Sequence, residues 1–590
     1  MDTRAIIAAA AAYQAAEQDE TFAQEVADLL AEEAWEELSD RFYTDLEFGT
    51  GGLRGVIAGG FNRMNPFVIA RATTGLAQYV VAHGDRRSDG SLAAVISHDN
   101  RRYSRVFAQS AARVFAAHGI TAYLFSDLRP TPELSFAVRQ LSASVGVMVT
   151  ASHNPPEYNG YKVYWSDGAQ ITAPVDQEII RQVMAVQPDQ ITLRPLEEAV
   201  AEGSIVYLDA TMDDDFVAMV KRQMVQPQLL EERGREVTAV YTPLHGTGAP
   251  LIERVLGEMG VTVKTVPEQR EPDSEFPTVK FPNPEEASAL EMALELGRRE
   301  NADIVIGTDP DADRLGIAVP DGHDFTLITG NQLGVLLADY ILGQKHHLDT
   351  LPRDPVFVTT VVTTGMQRQV AEHYGAQVYE TLTGFKHIAS IMRRLEEEPG
   401  TGTFVMGDEE SYGYLIGTEV RDKDAITATV LTIEMALHWR SQGISVLQRL
   451  EQLWEQFGYW EEVTISRYFA GQAGKEVMSR VMAGLRDNPP ASFAGYPIGV
   501  ITDYQTDREF LPESGQSRRG PGLPASNVLQ FTLTDGGRVS ARPSGTEPKI
   551  KFYASCHAPA GTGLAEGKHQ VREQIAAIER EIIAIIDGAE

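Results

Sequence analysis

Apolar and polar positions follow one recurring order along the chain. An apolar, β-branched run leads into a polar or glycine-bearing loop, then a segment with an apolar period near 3.6, a glycine, and a second apolar run. The order occurs three times. It first spans 93–96, the loop 97–104, a helix ending at His118, Gly119 and 120–125. It next spans 238–241, the loop 242–248, a helix to Met259, Gly260 and 261–266. It last spans 356–358, the loop 359–365, a helix to Tyr374, Gly375 and 376–379. β-Branched runs predict buried strands, the 3.6 period predicts helices, and the glycine supplies the left-handed residue that ends a helix. Strand–helix–strand with a short return predicts a parallel pair with a right-handed crossover. Three copies predict three related α/β layers.

The C-terminal part follows a different pattern. Residues 527–534 and 538–542 read as strands around the turn Asp535-Gly536-Gly537, a hairpin signal. Residues 549–556 continue as strand and 565–586 as a long amphipathic helix, which predicts an α+β domain. The Pro/Gly/Ser-rich stretch 511–526 predicts a surface loop in which Arg518 and Arg519 are solvated.

Composition narrows the class. The 590 residues are too many for one core and predict about four domains. Against 51 basic residues stand 83 acidic ones, a net charge of −32, which argues against a nucleic-acid partner. A small anionic substrate would need a locally basic cleft. The single cysteine, Cys556, allows no internal disulfide, fits a reducing cytoplasm, and reads as buried and inert. An Ile-Ala run after Arg4 is followed by Glu17, Asp19 and Glu20, so an amphipathic helix is expected there rather than an export signal. No stretch approaches the roughly 18 apolar residues of a membrane span.

Four loops carry candidate chemistry. The apolar strand 145–149 runs into Thr150-Ala151-Ser152-His153-Asn154-Pro155, placing a hydroxyl where α/β sheets bind ligands. Ser152 is the candidate nucleophile. His153 is a polar neighbour, and the adjacency makes no triad, because neighbouring side chains on a strand point apart. The strand 303–308 ends in Asp309-Pro310-Asp311-Ala312-Asp313-Arg314, and three carboxylates at alternate positions converge on one divalent cation. An EF-hand is excluded, because Arg314 and Pro320 stand where that loop needs Gly and Glu. The open coordination positions suit Mg²⁺ shared with a phosphate oxygen. Arg542-Pro543-Ser544-Gly545-Thr546-Glu547-Pro548 offers a guanidinium, hydroxyls and a backbone nest for phosphate. Gly407-Asp408-Glu409-Glu410-Ser411-Tyr412-Gly413 offers carboxylates and a hydroxyl suited to vicinal sugar hydroxyls. Read separately, the last two loops are more often turns than sites, and the serine loop alone is a modest signal, whereas three aspartates packed without a cation would be costly.

Taken together and in this order, the four motifs resemble those of the α-D-phosphohexomutase superfamily, and within it the phosphoglucomutase/phosphomannomutase family, over essentially the whole chain. The run 48–55 (Phe-Gly-Thr-Gly-Gly-Leu-Arg-Gly), with Arg63-Met64-Asn65, is similar to the branch of bacterial phosphoglucomutases and eukaryotic glucose/pentose phosphomutases. The resemblance implies an α/β fold of four domains around a central cleft. These would be 1–208, 209–328 and 329–455 as related mixed α/β domains and 456–590 as an α+β domain. It implies that Ser152 is a phosphoserine and that Asp309, Asp311 and Asp313 bind Mg²⁺ together with it. Lys162 matches a catalytic lysine, and Arg54 and His153 match positions near the transferring phosphoryl group. Arg314, Glu409 and Ser411 match sugar-binding positions, and Thr383, Gly384 and Lys386 match a specificity loop. Arg542, Ser544, Gly545 and Thr546 match a distal phosphate site, and Lys423 a cleft lysine. Asp99, Arg101 and Ser104 match a motif read as support for the serine loop. Where the family often has Gly-His, this chain has Tyr412-Gly413-Tyr414, which leaves Lys423 as the acid/base candidate on that side.

The expected activity is exchange of hexose 1-phosphate and hexose 6-phosphate, glucose foremost, with glucose 1,6-bisphosphate as intermediate and activator. Pentose and mannose phosphates are alternatives within the class. The expected setting is a cytoplasmic monomer or homodimer that acts on small sugar phosphates, without nucleic acid or membrane. A metal-dependent phosphatase would usually need a second metal site with histidine ligands, and no such cluster stands in the sequence. A non-catalytic carbohydrate-binding protein has no need of a nucleophile beside a metal site.

Overall fold

Each repeat becomes a four-strand unit of the same topology in a computed structural model of the chain, which describes residues 3–49, 51–469, 471–543 and 549–589. In the first, Thr121–Phe125, Ala93–His98 and Val145–Val149 lie side by side in parallel, followed by antiparallel Tyr158–Trp165. In the second, the same places are taken by Thr262–Thr265, Thr238–Thr242, Ile304–Thr308 and antiparallel Leu315–Asp321. In the third they are Gln377–Thr381, Pro355–Thr360, Thr403–Glu409 and antiparallel Gly413–Ile416. The first sheet adds Gly52–Val56 and Ile205–Leu208 at its edges, and the second adds Asp324–Ile328.

The local chemistry explains the units. The helices Ser104–Ala117, Ala249–Glu258 and Gly365–His373 are each followed by the expected glycine, Gly119, Gly260 and Gly375, at φ of 73°, 79° and 80°. A side chain there would be strained by backbone conformation alone. Every residue of Ala93–His98, Val145–Val149, Ile304–Thr308 and Pro355–Thr360 is buried, as strands covered on both faces require. One apolar core runs from Leu134 and Met148 of the first unit through Tyr241 and Ile306 of the second to Phe357 and Ile426 of the third.

The C-terminal part is an antiparallel sheet in the order Tyr459–Tyr468, Lys549–Ala558, Arg538–Pro543, Leu529–Leu533, Tyr496–Asp503, Arg508–Leu511, Gln516–Arg519. The helix Leu564–Asp587 packs on it over a separate core. Here the reading of 511–526 as loop needs correction, because Gln516–Arg519 is an edge strand paired with Arg508–Leu511. All four of its residues are exposed, so it shows no alternation of apolar and polar positions, and its charges protect an open edge. Arg518 and Arg519 pair with Glu509 and Asp507 at the surface. Cys556 is buried, and burial pushes its thiol up to about 12, away from the reactive thiolate. The helix Thr3–Ala16 buries Ile6, Ala10 and Tyr13 on one face. Among the described residues, no helix is long and apolar enough to cross a membrane.

Candidate active site

Three of the four candidate loops are topologically one loop. Each joins the third parallel strand of its unit to the antiparallel fourth: 150–157 in the first, 309–314 in the second, 410–412 in the third. All three leave carboxyl ends of parallel strands, where open α/β sheets place ligands.

Ser152 sits on a left-handed turn with φ of 52°. A non-glycine residue in that conformation costs about 1–2 kcal/mol, so the turn needs bracing. Its N–H donates to Thr150 Oγ1 at 2.8 Å. The Arg101 guanidinium donates to the carbonyls of Ser152 (2.6 Å), Pro155 (2.8 Å) and Tyr158 (3.0 Å), and to that of Asn154. Asp99 accepts from the Arg101 N–H at 3.0 Å and from Ser104 Oγ at 2.7 Å. Asp99, Arg101 and Ser104 therefore brace this loop, and Phe276 of the second unit lies 5.1 Å beneath the guanidinium. Because Ser152 turns rather than extends, its Oγ and His153 Nδ1 lie 3.2 Å apart, contrary to the strand geometry expected for neighbours. Burial, then the charges of Arg314 and Arg54, hold His153 well below the usual imidazole range and keep it neutral.

The aspartate loop meets the serine directly. Asp309 Oδ2 accepts from Ser152 Oγ at 2.6 Å, and its Oδ1 accepts from the N–H groups of Asp313 (3.0 Å) and Arg314 (2.9 Å). Asp311 Oδ2 accepts from Lys162 Nζ at 2.7 Å and Thr131 Oγ1 at 2.8 Å. Asp313 Oδ2 lies 3.0 Å from Lys423 Nζ and 3.5 Å from Lys162 Nζ. One oxygen from each aspartate lies within 4.8 Å of the others, and none of the three residues is more than 2% exposed. Burial, with the carboxylates of Asp313 and Asp311, pushes Asp309 far above the usual carboxylate range. Asp311 Oδ1 and Asp313 Oδ1 have no hydrogen-bond partner. Buried carboxylate oxygens without partners are expensive, and a cation bound among them supplies what is missing. Three carboxylates offering hard oxygens fit a hard divalent cation such as Mg²⁺.

Two lysines face this loop from different units. Lys162 lies on Tyr158–Trp165, the strand that follows the serine loop. Burial opposes its charge, but Asp311 and Asp313 overcome burial and raise it. Lys423 is likewise raised, against burial, by Asp313 and Asp422. Gly413 gives Lys423 its path: a Cβ there would lie 2.2 Å from Lys423 Cδ. Asp422 holds Lys423 Nζ at 3.2 Å, and its other oxygen accepts from Tyr164 (2.7 Å) and Gln170 (2.8 Å) of the first unit.

In the third unit, Glu409 pairs with Gly413 around the tip Glu410-Ser411-Tyr412, with Tyr412 at φ of 65°. This is a three-residue hairpin turn ending in a left-handed residue. Glu409 Oε1 accepts from the Gly384 N–H at 2.5 Å, which ties the Thr383-Gly384-Phe385-Lys386 loop to it. Asp408 does not join this set. It continues the strand and turns inward, accepting from Gln367 at 2.5 Å. The Tyr414 hydroxyl is committed to the Gly330 carbonyl at 3.1 Å. The second and third loops touch where Leu315 N–H donates to Tyr412 O at 2.9 Å, and Arg314 pairs with Glu285.

Arg54 reaches Asn154 Oδ1 at 3.4 Å, beside the serine. Arg542 is the penultimate residue of the strand Arg538–Pro543 of the C-terminal sheet, which is fastened to the third unit by Arg538 and Glu380 at 2.8 Å. Burial lowers Lys386 and brings His387 down to about 4, and the Arg542 charge adds to both effects. Ser544, Gly545 and Thr546 lie outside the described residues. The structure thus gathers Ser152, His153, Lys162, Arg54, Lys423 and the aspartates with Arg314, and sets Glu409 and Ser411 at the adjoining turn of the third unit. Sequence reasoning missed Thr131, between two prolines, Tyr164 and Asp422, near residues already chosen, and Glu285, which carried no local signal.

Comparison with known proteins agrees with this geometry. Family profiles described as phosphoglucomutase/phosphomannomutase, alpha/beta/alpha domains I, II and III, match residues 45–189, 214–322 and 329–457. A phosphoglucomutase of Staphylococcus aureus (strain bovine RF122 / ET3-1) is 36% identical over 526 residues, 89% of this chain and 92% of the relative. The phosphoglucomutase of strain USA300 is 36% identical over 540 residues, 90% of this chain and 94% of its own length. The fold is shared with pp63/parafusin, a Paramecium phosphoglucomutase in its open form, at TM-score 0.66 and 18% identity, covering 92% of this chain and 95% of that one. It is also shared with a phosphoglucomutase/phosphomannomutase family protein from Burkholderia thailandensis, at TM-score 0.62 and 18% identity, covering 93% and 99%. With more than a third of its positions identical to the staphylococcal enzymes over nine-tenths of its length, the chain belongs to the phosphoglucomutase/phosphomannomutase family.

Proposed function

We propose that this hexose phosphate mutase interconverts glucose 1-phosphate and glucose 6-phosphate, with Ser152 carrying the transferred phosphoryl group. The observation that carries the reading is the 2.6 Å hydrogen bond from Ser152 Oγ to an aspartate of a buried, incompletely satisfied carboxylate trio. Glucose is preferred because the staphylococcal relatives carry the name phosphoglucomutase.

Phosphoryl transfer calls for alignment and charge neutralisation. Asp309, Asp311 and Asp313 would hold Mg²⁺, which when bound supplies Lewis-acid stabilisation of phosphoryl charge. Asp309 orients the Ser152 hydroxyl, and Arg101 fixes the backbone beneath it. Arg54 and Lys162 offset charge that develops on the phosphoryl oxygens. Lys162 and Lys423, both held protonated by the aspartates, are placed to donate a proton to a departing sugar oxygen. Neutral His153 shares a hydrogen bond with Ser152 Oγ. Glu409 and Ser411 read sugar hydroxyls, Arg314 and the 383–386 loop frame the sugar, and Arg542 with Ser544, Gly545 and Thr546 holds the second phosphate. Glucose 1,6-bisphosphate, formed when phospho-Ser152 donates to either monophosphate, turns end for end before returning a phosphoryl group to the serine.

The test is a panel of glucose, mannose and ribose 1-phosphates, with and without glucose 1,6-bisphosphate, with product isomers resolved by NMR. Glucose 6-phosphate should form fastest, and Ser152→Ala should form none. Inorganic phosphate without isomerised sugar would make the chain a phosphatase instead. Undiminished turnover by Ser152→Ala would remove the serine from the mechanism.

A further inference from the structure

Thr131 belongs to the first unit, yet its strongest contacts are to Asp311 of the second. Its N–H donates to the Asp311 carbonyl at 3.0 Å and its Oγ1 to Asp311 Oδ2 at 2.8 Å. It is fully buried at the start of the helix Thr131–Gln140, between Pro130 and Pro132. The loop before it is fastened on both sides. Arg129 forks onto Asp213 of the second unit at 2.8 and 3.0 Å, and the Arg129 carbonyl accepts from Ser97 Oγ at 3.0 Å.

The consequence lies in the two oxygens of Asp311. The terminal torsion of an aspartate is broad and roughly twofold, so an unrestrained carboxylate does not present one particular oxygen. Two donors hold Oδ2, and the buried Oδ1 is left without a hydrogen-bond partner. Of the two donors, Lys162 has a long flexible stem, and its Nζ also lies 3.5 Å from Asp313. Thr131 is β-branched, stiff at its first torsion, and tied to the same residue through its backbone. It is the fixed donor of the pair.

We propose that Thr131 is a positioning residue for the divalent cation: by pinning Asp311 Oδ2 from the neighbouring unit, it turns Asp311 Oδ1 into the trio. The proposal rests on the reading that the trio holds a cation. It makes cation affinity a property of the contact between the first and second units, and not of the aspartate loop alone.

The experiment titrates the purified full-length protein with Mn²⁺, following free Mn²⁺ by electron paramagnetic resonance. Preparations are matched by intact mass for Ser152 phosphorylation. Loss of an outer-shell donor weakens metal binding by roughly tenfold to a hundredfold, the effect expected of Thr131→Val. Thr131→Ser, which keeps the hydroxyl, should stay close to the parent. Thr131→Ala repeats the measurement should the valine variant fail to melt cooperatively. A Thr131→Val protein that melts earlier without metal but binds Mn²⁺ as tightly as the parent would overturn the proposal. A parent that binds no Mn²⁺, or an Asp311→Asn variant that binds it equally well, would remove the metal reading itself.

Discussion

Ser152 Oγ and Asp309 Oδ2 are 2.6 Å apart although 157 positions separate them in sequence. Each stands at the same turn of its own repeat, so the contact joins two copies of one structural unit. Asp309 is also held by the Asp313 and Arg314 N–H groups through its other oxygen, so it cannot rotate away when the serine changes state. Asp309→Asn keeps the shape and removes the ionisable carboxyl that a cation would need. It should leave the fold intact and lower kcat by about a hundredfold or more, the usual scale for losing one preorganised electrostatic group. Steady-state kinetics beside a thermal melt checks this, and unchanged kcat would separate Asp309 from the chemistry.

Gly413 and Lys423 form a second such relationship. Gly413 is buried and pairs with Glu409, and its missing side chain is the space the Lys423 stem occupies. Gly413→Ala would push the lysine off Asp313, because a 2.2 Å approach must be relieved. The overpacking should cost about 1–3 kcal/mol, and kcat should fall further than that loss of stability explains. A urea melt with a rate measurement on the same preparation distinguishes a displaced lysine from a merely softened domain. Full activity at reduced stability would show that Lys423 acts from elsewhere.

The Arg101 clamp predicts a different pattern. Its guanidinium serves four carbonyls of the serine loop and faces Asp99, with 3% of its surface exposed. Lysine offers one ammonium group and cannot span that fork, so Arg101→Lys leaves buried carbonyls without donors at about 1–3 kcal/mol each. Arg101→Ala leaves the same carbonyls without donors and also strands the buried Asp99 carboxylate, which adds about 3–5 kcal/mol to that cost. For Arg101→Lys, kcat should fall while KM changes little, since the clamp touches the serine loop and no sugar-reading residue. A rise in KM alone would contradict this.

Much of the fold was legible because each repeat uses strong local signals: β-branched strands, a 3.6-residue apolar period and a glycine after each helix. The edge strand Gln516–Arg519 was not, because an exposed edge carries no apolar alternation. The chemistry was legible as four loops but not as one site, since the meeting of Ser152 with Asp309 depends on how the units pack. Asp408 illustrates the limit. It neighbours Glu409 in the same acidic run, but the strand continues through it, and the period of two sends it to Gln367 instead of the cleft. Thr131 and Asp422 are ordinary polar residues until their partners across the unit boundary are known.

Glu462 offers a pH test of the contact between the C-terminal domain and the third unit. It lies on Tyr459–Tyr468, where Ser555 Oγ donates to it at 3.1 Å and Thr364, the residue capping the helix Gly365–His373, supplies a second hydrogen bond. Burial pushes its carboxyl from 4.5 up to about 7. Between those values the folded chain keeps a proton that the unfolded chain has released, so this group's contribution to stability falls as pH rises through the window and is gone above about 7. Glutamine resembles the protonated acid and does not titrate. Glu462→Gln should therefore match the parent near pH 5 and exceed it by about 1–3 kcal/mol near pH 8. Denaturant melts of both proteins at the two pH values read the difference directly. A gap between them that is the same at both would mean that Glu462 ionises as an ordinary carboxylate, and that the domain contact places it in water rather than against Thr364 and Ser555.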